Sequence, residues 1–225
     1  MAKQGDIAFG KPNRITVSTR LGTDGIIDIQ REAEMGGSIH TKGVMILTGY
    51  LAETFGQEIP LSLSASIVFE QTYSEVDGDS ASSTELYALM SSLAEAPIKQ
   101  DIAVTGSVNQ KGEVQSVGGI NEKIEGYYEV CKTIGLNGDQ GVIIPASNKK
   151  NLMLKNEVVE AVEHGDFHIW AVDHVDQGIE ILTGIAAGSA TDDGFEKDSI
   201  KARVSDKLEE MALKMRKFLK PDGDN

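Results

Sequence analysis

Residues 61–94 read Leu61-Ser62-Leu63-Ser64-Ala65-Ser66-Ile67-Val68-Phe69, then a polar run ending Glu75-Val76-Asp77-Gly78-Asp79-Ser80, then Ala81-Ser82-Ser83-Thr84-Glu85-Leu86-Tyr87-Ala88-Leu89-Met90-Ser91-Ser92-Leu93-Ala94. Leu61, Leu63, Ala65, Ile67 and Phe69 alternate with Ser62, Ser64 and Ser66. That period predicts a half-buried strand. Leu86, Leu89, Met90 and Leu93 recur at three- and four-residue steps, one face of a helix over about 81–94. Strand, polar loop and helix in this order predict a mixed α/β domain. They also set Ser80 at a helix start, with Asp77, Gly78 and Asp79 just before it.

Upstream, 15–18 and 25–29 read as strands around a turn at Asp24-Gly25. Residues 41–55 read as a helix with Thr41 as N-cap and Val44, Met45, Leu47, Leu51 and Phe55 on its apolar side. Downstream, 101–105 is a short strand and 107–114 a hairpin turning near Gln110 to Gly112. Gly118-Gly119 breaks the chain before a helix over 120–134, which Gly135 ends. A buried strand at 141–145, helical text to about His164, a strand at 167–172 and a helix at 175–182 complete the core. The domain thus runs from 15 to 184, after a lead-in at 1–14. Residues 185–199, rich in Gly, Ala, Ser and Asp, read as a linker. Ile200, Val204, Leu208, Met211, Met215 and Leu219 outline an isolated amphipathic helix over 200–219, followed by a tail at 220–225.

The 225 residues are 40% hydrophobic and 25% charged, an ordinary globular composition. Apolar runs are too short to span a bilayer, and the N-terminus lacks a signal peptide's apolar core. The expectation is a soluble, cytoplasmic protein with no membrane segment. The formal charge of -14 argues against a nucleic-acid partner, which demands a basic face. Cys131 is the single cysteine, so neither an intrachain disulfide nor a cysteine-based zinc site is available. No paired histidines with a carboxylate suggest a metal site. There is no P-loop, since Lys42-Gly43 and Lys111-Gly112 have the wrong order and flanks.

Two readings stand at Ser80. Asp and Ser are good N-caps and Gly makes turns, so the cluster serves capping. A helix start also presents free N–H groups that stabilise an oxyanion beside a nucleophilic hydroxyl. Such a hydroxyl needs a base. His40, His164, His168 and His174 stand in no triad context and read as surface or packing residues. Lysine is the other base used with serine. Lys123, early in the helix after Gly118-Gly119, reads by spacing alone as an exposed helical lysine in a salt bridge. Cys131 reads as a small buried hydrophobe.

Taken together, Val76-Asp77-Gly78-Asp79-Ser80-Ala81-Ser82, Val104-Thr105-Gly106-Ser107-Val108 and Gly118-Gly119-Ile120-Asn121-Glu122-Lys123-Ile124 resemble the proteolytic domain of the Lon protease family, nearest its LonB-like branch. Residues 36–44 and 143–148 are similar to the family as well, and the likeness covers most of 12–184. The resemblance implies a mixed α/β (α+β) fold related to the second domain of ribosomal protein S5. It implies a serine endopeptidase that degrades proteins or peptides through an acyl-enzyme, with Ser80 as nucleophile and Lys123 as base. Thr105 falls where the family has a threonine near the lysine, and Asp77 where it has a recurring acid. Asp79 stands where the better-known bacterial branch has proline, a departure that matches the LonB-like branch. The family also implies an N-terminal AAA+ ATPase module that binds ATP and Mg²⁺, a homo-hexameric ring, and no cofactor in this domain.

A free lysine, with pKa about 10.4, must be brought toward ~7–8 by burial to act as the base. Asp77 or Asp79 beside Lys123 would instead hold it charged, so the expectation includes a locked dyad in the isolated domain. The rival readings are a Lon-fold binding or assembly domain without peptidase activity, and a small-molecule enzyme of the same superfamily. The second calls for a Gly-rich phosphate loop, which the sequence lacks.

Overall fold

The computed structural model describes residues 2–4, 7–57 and 60–219. The chain opens with β1 (Ala2–Gln4) and β2 (Ile7–Phe9) as an antiparallel pair, followed by β3 (Ile15–Leu21), β4 (Gly25–Asp28), α1 (Ile29–Glu32) and α2 (Ser38–Phe55). β5 (Leu63–Phe69), α3 (Ser82–Ala94), β6 (Ile102–Val104), β7 (Ser107–Val108), β8 (Val114–Gln115) and α4 (Ile120–Ile134) come next. Then come β9 (Gly141–Pro145), a 3-10 turn (Ala146–Asn151), α5 (Asn156–His164), β10 (His168–Val172) and α6 (Val175–Thr183). β11 (Ala190–Thr191), β12 (Gly194–Phe195) and α7 (Ile200–Leu219) close the order. The mixed α/β class read from the sequence holds. The 220–225 tail lies outside the described residues.

Two three-stranded sheets carry the frame. In the first, β5 lies between β3, antiparallel to it, and β4, parallel to it. β3 and β4 are therefore not hairpin partners, although only a turn separates them. Being central, β5 is more deeply buried than its alternation suggests, and Ser64 (1% exposed) is satisfied by donating to Asp24 Oδ2 at 2.9 Å. The second sheet is parallel throughout, in the order β10-β9-β6. Its central strand, β9, is buried along its whole length and reads as a continuous apolar run.

Some elements differ in their bounds from the reading of the sequence, and the 1–14 lead-in holds the β1–β2 pair. The strand ending at Asp28 gives way to α1, because the Asp28 carboxylate accepts the Gln30 N–H at 3.1 Å and caps a helical turn. α2 starts at Ser38, with Gly37 as N-cap, and not at Thr41. Thr41 lies inside the first turn, where its N–H and hydroxyl both bond Gly37 O, at 3.0 and 3.1 Å. The helical text after Pro145 divides into the 3-10 turn and α5.

α2, α3, α6 and α7 share one apolar core with β5. α4, α5 and β9 share a second, which takes in Phe167. α7 is not isolated. It buries Ile200, Val204, Leu208 and Met211 in the larger core and packs on α3. Residues 185–199 carry the β11–β12 hairpin, and Ala187 is 2% exposed with its N–H held by Glu180 Oε1 at 2.9 Å. Among the described residues no helix is long and apolar enough to cross a membrane.

Candidate active site

β5 ends at Phe69, and the chain returns through a loop to Ser80, which is partly buried just ahead of α3. Gly78 makes the turn at φ 87°, a left-handed conformation that glycine adopts without strain. The start of α3 is sewn to residues 104–108. Ser80 O accepts the Gly106 N–H at 2.8 Å and the Thr105 hydroxyl at 3.3 Å. Gly106 O accepts the Ser83 N–H at 3.2 Å and the Ser83 hydroxyl at 2.9 Å. Ser82 Oγ accepts the Val108 N–H at 3.1 Å, and Ser107 Oγ donates to Asp79 Oδ2 at 2.8 Å. Thr105 N–H in turn bonds Ile143 O at 3.0 Å, which ties the seam to β9.

Lys123 reaches this seam from the first turn of α4. Gly119, at φ 65°, starts that helix, and the Lys123 N–H bonds Gly119 O at 3.0 Å. Asn148 (3% exposed) brackets the approach, accepting the Val117 N–H at 2.9 Å and donating to Val117 O at 3.1 Å. Asn121 accepts the Met153 N–H at 2.8 Å. Gly10 lies across the helix from the other side, donating to Glu122 O at 2.9 Å, and a Cβ on it would stand 2.6 Å from Lys123 Cα. So held, Lys123 Nζ donates to Thr105 Oγ1 at 3.2 Å. Ser80, Thr105 and Lys123, far apart in sequence, form one hydrogen-bonded chain: amine to Thr105 hydroxyl, hydroxyl to Ser80 carbonyl.

Burial lowers the Lys123 pKa, while the Asp79 charge works the other way. The ion pair expected between Lys123 and Asp77 or Asp79 is not formed: among the described residues Lys123 takes part in no salt bridge. Asp79 is engaged by Ser107 instead. Asp77 lies against the start of α2, where a Cβ on Gly37 would stand 2.4 Å from Asp77 Oδ1. There it faces the positive end of the helix dipole.

The histidines fall into different places. His164 is exposed near the end of α5, and His168 Nε2 pairs with Gly138 O at 2.7 Å. His174 caps α6. His40 is more than a packing residue. It is 1% exposed, 2.9 Å from Asp28 Oδ2 through Nε2 and 3.7 Å from Glu85 Oε1 through Nδ1. Burial works to lower its pKa, but the Asp28 carboxylate beside it and the charges of Glu85 and Asp77 prevail and raise it. Burial pushes Glu85 up to about 7, against the pull of His40. Sequence reading missed this cluster, because its members lie on β4, α2 and α3 with no local signal joining them. Cys131 is 3% exposed, and burial pushes its thiol up.

A mixed α/β frame that sets a serine at a helix start and ties a half-buried lysine to it through a threonine has the build of a serine-type peptidase domain. The chain belongs to the Lon protease family: the model of the Lon protease (S16) C-terminal proteolytic domain matches residues 66–184. It is 51% identical over 178 residues to a Lon protease homolog of Escherichia coli (strain K12), covering 79% of this chain and 30% of the relative. A Haemophilus influenzae homolog is 42% identical over 94% of this chain and 35% of its own length. The archaeal Lon protease of Thermococcus kodakarensis is 34% identical over 76% of this chain and 24% of that protein. The chain thus spans about a third of the length of the first two relatives.

Proposed function

We propose that this chain is the proteolytic domain of an ATP-dependent Lon-type protease, with Ser80 as nucleophile and Lys123 as general base. The observation that carries the reading is the hydrogen-bonded chain from Lys123 Nζ through Thr105 Oγ1 to Ser80 O, around an amine whose pKa burial lowers. In the proposed reaction neutral Lys123 takes the proton of the Ser80 hydroxyl as Oγ attacks a peptide carbonyl. The oxyanion so formed needs N–H donors. Ser82 and Ser83 N–H are committed to Asp79 O and Gly106 O, so the N–H groups of Ser80 and Ala81 are the proposed donors. The Lys123 ammonium then gives its proton to the departing amine, leaving an ester on Ser80. Water, deprotonated by Lys123, attacks that ester, and the proton returns to Ser80 Oγ as the acid product leaves. Thr105 keeps the amine aimed through these steps.

ATP and Mg²⁺ belong, in this reading, to a separate AAA+ module of a homo-hexameric assembly. Lys42 lies within α2 and Lys111 is ion-paired with Glu53 beside a hairpin turn, so neither of these two lysines stands in a phosphate-cradling loop. No step here runs through ATP. The test is cleavage of an unstructured peptide by the wild-type chain and by Ser80→Ala. The variant is expected to keep its circular dichroism spectrum and lose cleavage altogether. Cleavage at the wild-type rate contradicts the assignment.

A further inference from the structure

Asp79 poses a problem that the proposed mechanism leaves open. It precedes the proposed nucleophile directly and its charge bears on Lys123, yet it forms no ion pair with that amine. A carboxylate in that position, free to turn, would pair with the nearest cation and hold it protonated. What it meets instead is Ser107, on β7. This side chain is 3% exposed, and its hydroxyl donates to Asp79 Oδ2 at 2.8 Å. A serine O–H on a carboxylate is a charge-assisted bond, short and directional.

Two other acids of the region are engaged elsewhere. Glu125, on the same helix as Lys123, faces Lys155 at 3.6 Å. Asp77 bears on His40, across α2. Asp79 is the carboxylate whose charge bears on Lys123, and Ser107 is the group that fixes where it points.

We propose that Ser107 is a positioning residue whose hydroxyl holds the Asp79 carboxylate off the Lys123 amine and so keeps that amine available to Ser80. The inference rests on the Ser80–Lys123 reading for its consequence, but the hold itself is independent of catalysis. Without the hydroxyl, Asp79 turns to the amine and becomes its ion-pair partner. Ser107 is thus a latch on the acid, and its release inactivates the site without removing any reacting group.

The test is a titration of the lysine side chains by NMR in the ¹³C-lysine-labelled chain, with the Lys123 signal assigned from Lys123→Arg. Ser107→Ala is expected to raise the Lys123 pKa by about one unit, which at neutral pH cuts the neutral fraction about tenfold. Asp79→Asn is expected to lower it. Ser107→Ala/Asp79→Asn is expected to match Asp79→Asn, because without the acid there is nothing for the hydroxyl to restrain. The rising limb of the pH profile for peptide cleavage should move with the Lys123 pKa in each variant. A Lys123 pKa unmoved by Ser107→Ala, or raised equally in the double variant, overturns the latch. A merely structural role predicts lower activity at every pH with an unchanged midpoint. If the latch titrates as expected while Ser80→Ala still cleaves peptide, the dyad reading fails and the latch stands.

Discussion

At the residue scale the site depends on a lysine kept where a lysine is costly. Burial lowers the Lys123 pKa below the ordinary 10.5. The unfolded chain therefore binds the extra proton over the interval between the two values, and stability rises with pH across it. Below that interval the folded domain carries the full cost of a charged amine in a half-buried place. Lys123→Met keeps the length of the side chain and removes the charge, so at neutral pH it is expected to raise the melting temperature by a few degrees while abolishing peptide cleavage. A lower melting temperature would show that the amine stabilises the fold and is not strained by it. Ser80 and Lys123 were legible in the sequence only through the ordered motifs around them. Spacing alone gives a cap and a surface lysine. Ser107 was not legible as an actor at all, since a serine in a short strand carries no signal until its partner is seen.

Among the elements, the His40–Asp28–Glu85 cluster joins β4, α2 and the first turns of α3, next to the loop that presents Ser80. Neither Glu85 oxygen has a hydrogen-bond partner among the described residues. Glu85 is raised from 4.5 to about 7, so the folded state holds a proton that the unfolded state has released over that window. Its contribution is present below 4.5 and lost as pH rises through about 7. His40, raised above 6.5, acts in the same direction, its contribution full below 6.5 and lost as pH rises through the folded value. Urea midpoints of the wild-type chain are thus expected to fall from about pH 5 to about pH 8, and to fall less in Glu85→Gln. Parallel curves for the two proteins would remove Glu85 as the titrating group. The elements themselves were largely legible, because strands and helices announce themselves by period. What escaped was tertiary: α1 is set by the Asp28 side chain, α2 starts before Thr41, and β5 is inserted between strands that are neighbours in sequence.

On the scale of the whole molecule, the C-terminal helix belongs to the domain. Ile200 (0% exposed), Val204 (0%), Leu208 (4%) and Met211 (7%) enter the larger core, and Lys201 pairs with Asp176 at 2.6 Å. Burying such side chains is worth about 1.5–3 kcal/mol each, so together they rival the ~5–15 kcal/mol that holds a domain folded. Removal of residues 200–219 is expected to leave an unfolded or aggregated chain by circular dichroism and gel filtration. A fragment melting at the wild-type temperature would return α7 to the status of an appendage. The sequence showed the apolar stripe of α7 but not its partner, because amphipathicity says that a face is covered and not by what. The same whole-molecule packing links Ser80, on the approach to α3, through Thr105 to Lys123, on α4, and the proposed work of that pair is the central claim. It is tested most directly by treating the intact chain with a serine-directed reagent, such as a peptidyl sulfonyl fluoride, and mapping the adduct by mass spectrometry in wild type and Lys123→Met. The expected result is a single adduct on Ser80 that is lost or slowed at least tenfold without Lys123, in keeping with a positioned base. An adduct on another residue, or undiminished labelling of Ser80 in Lys123→Met, would contradict it.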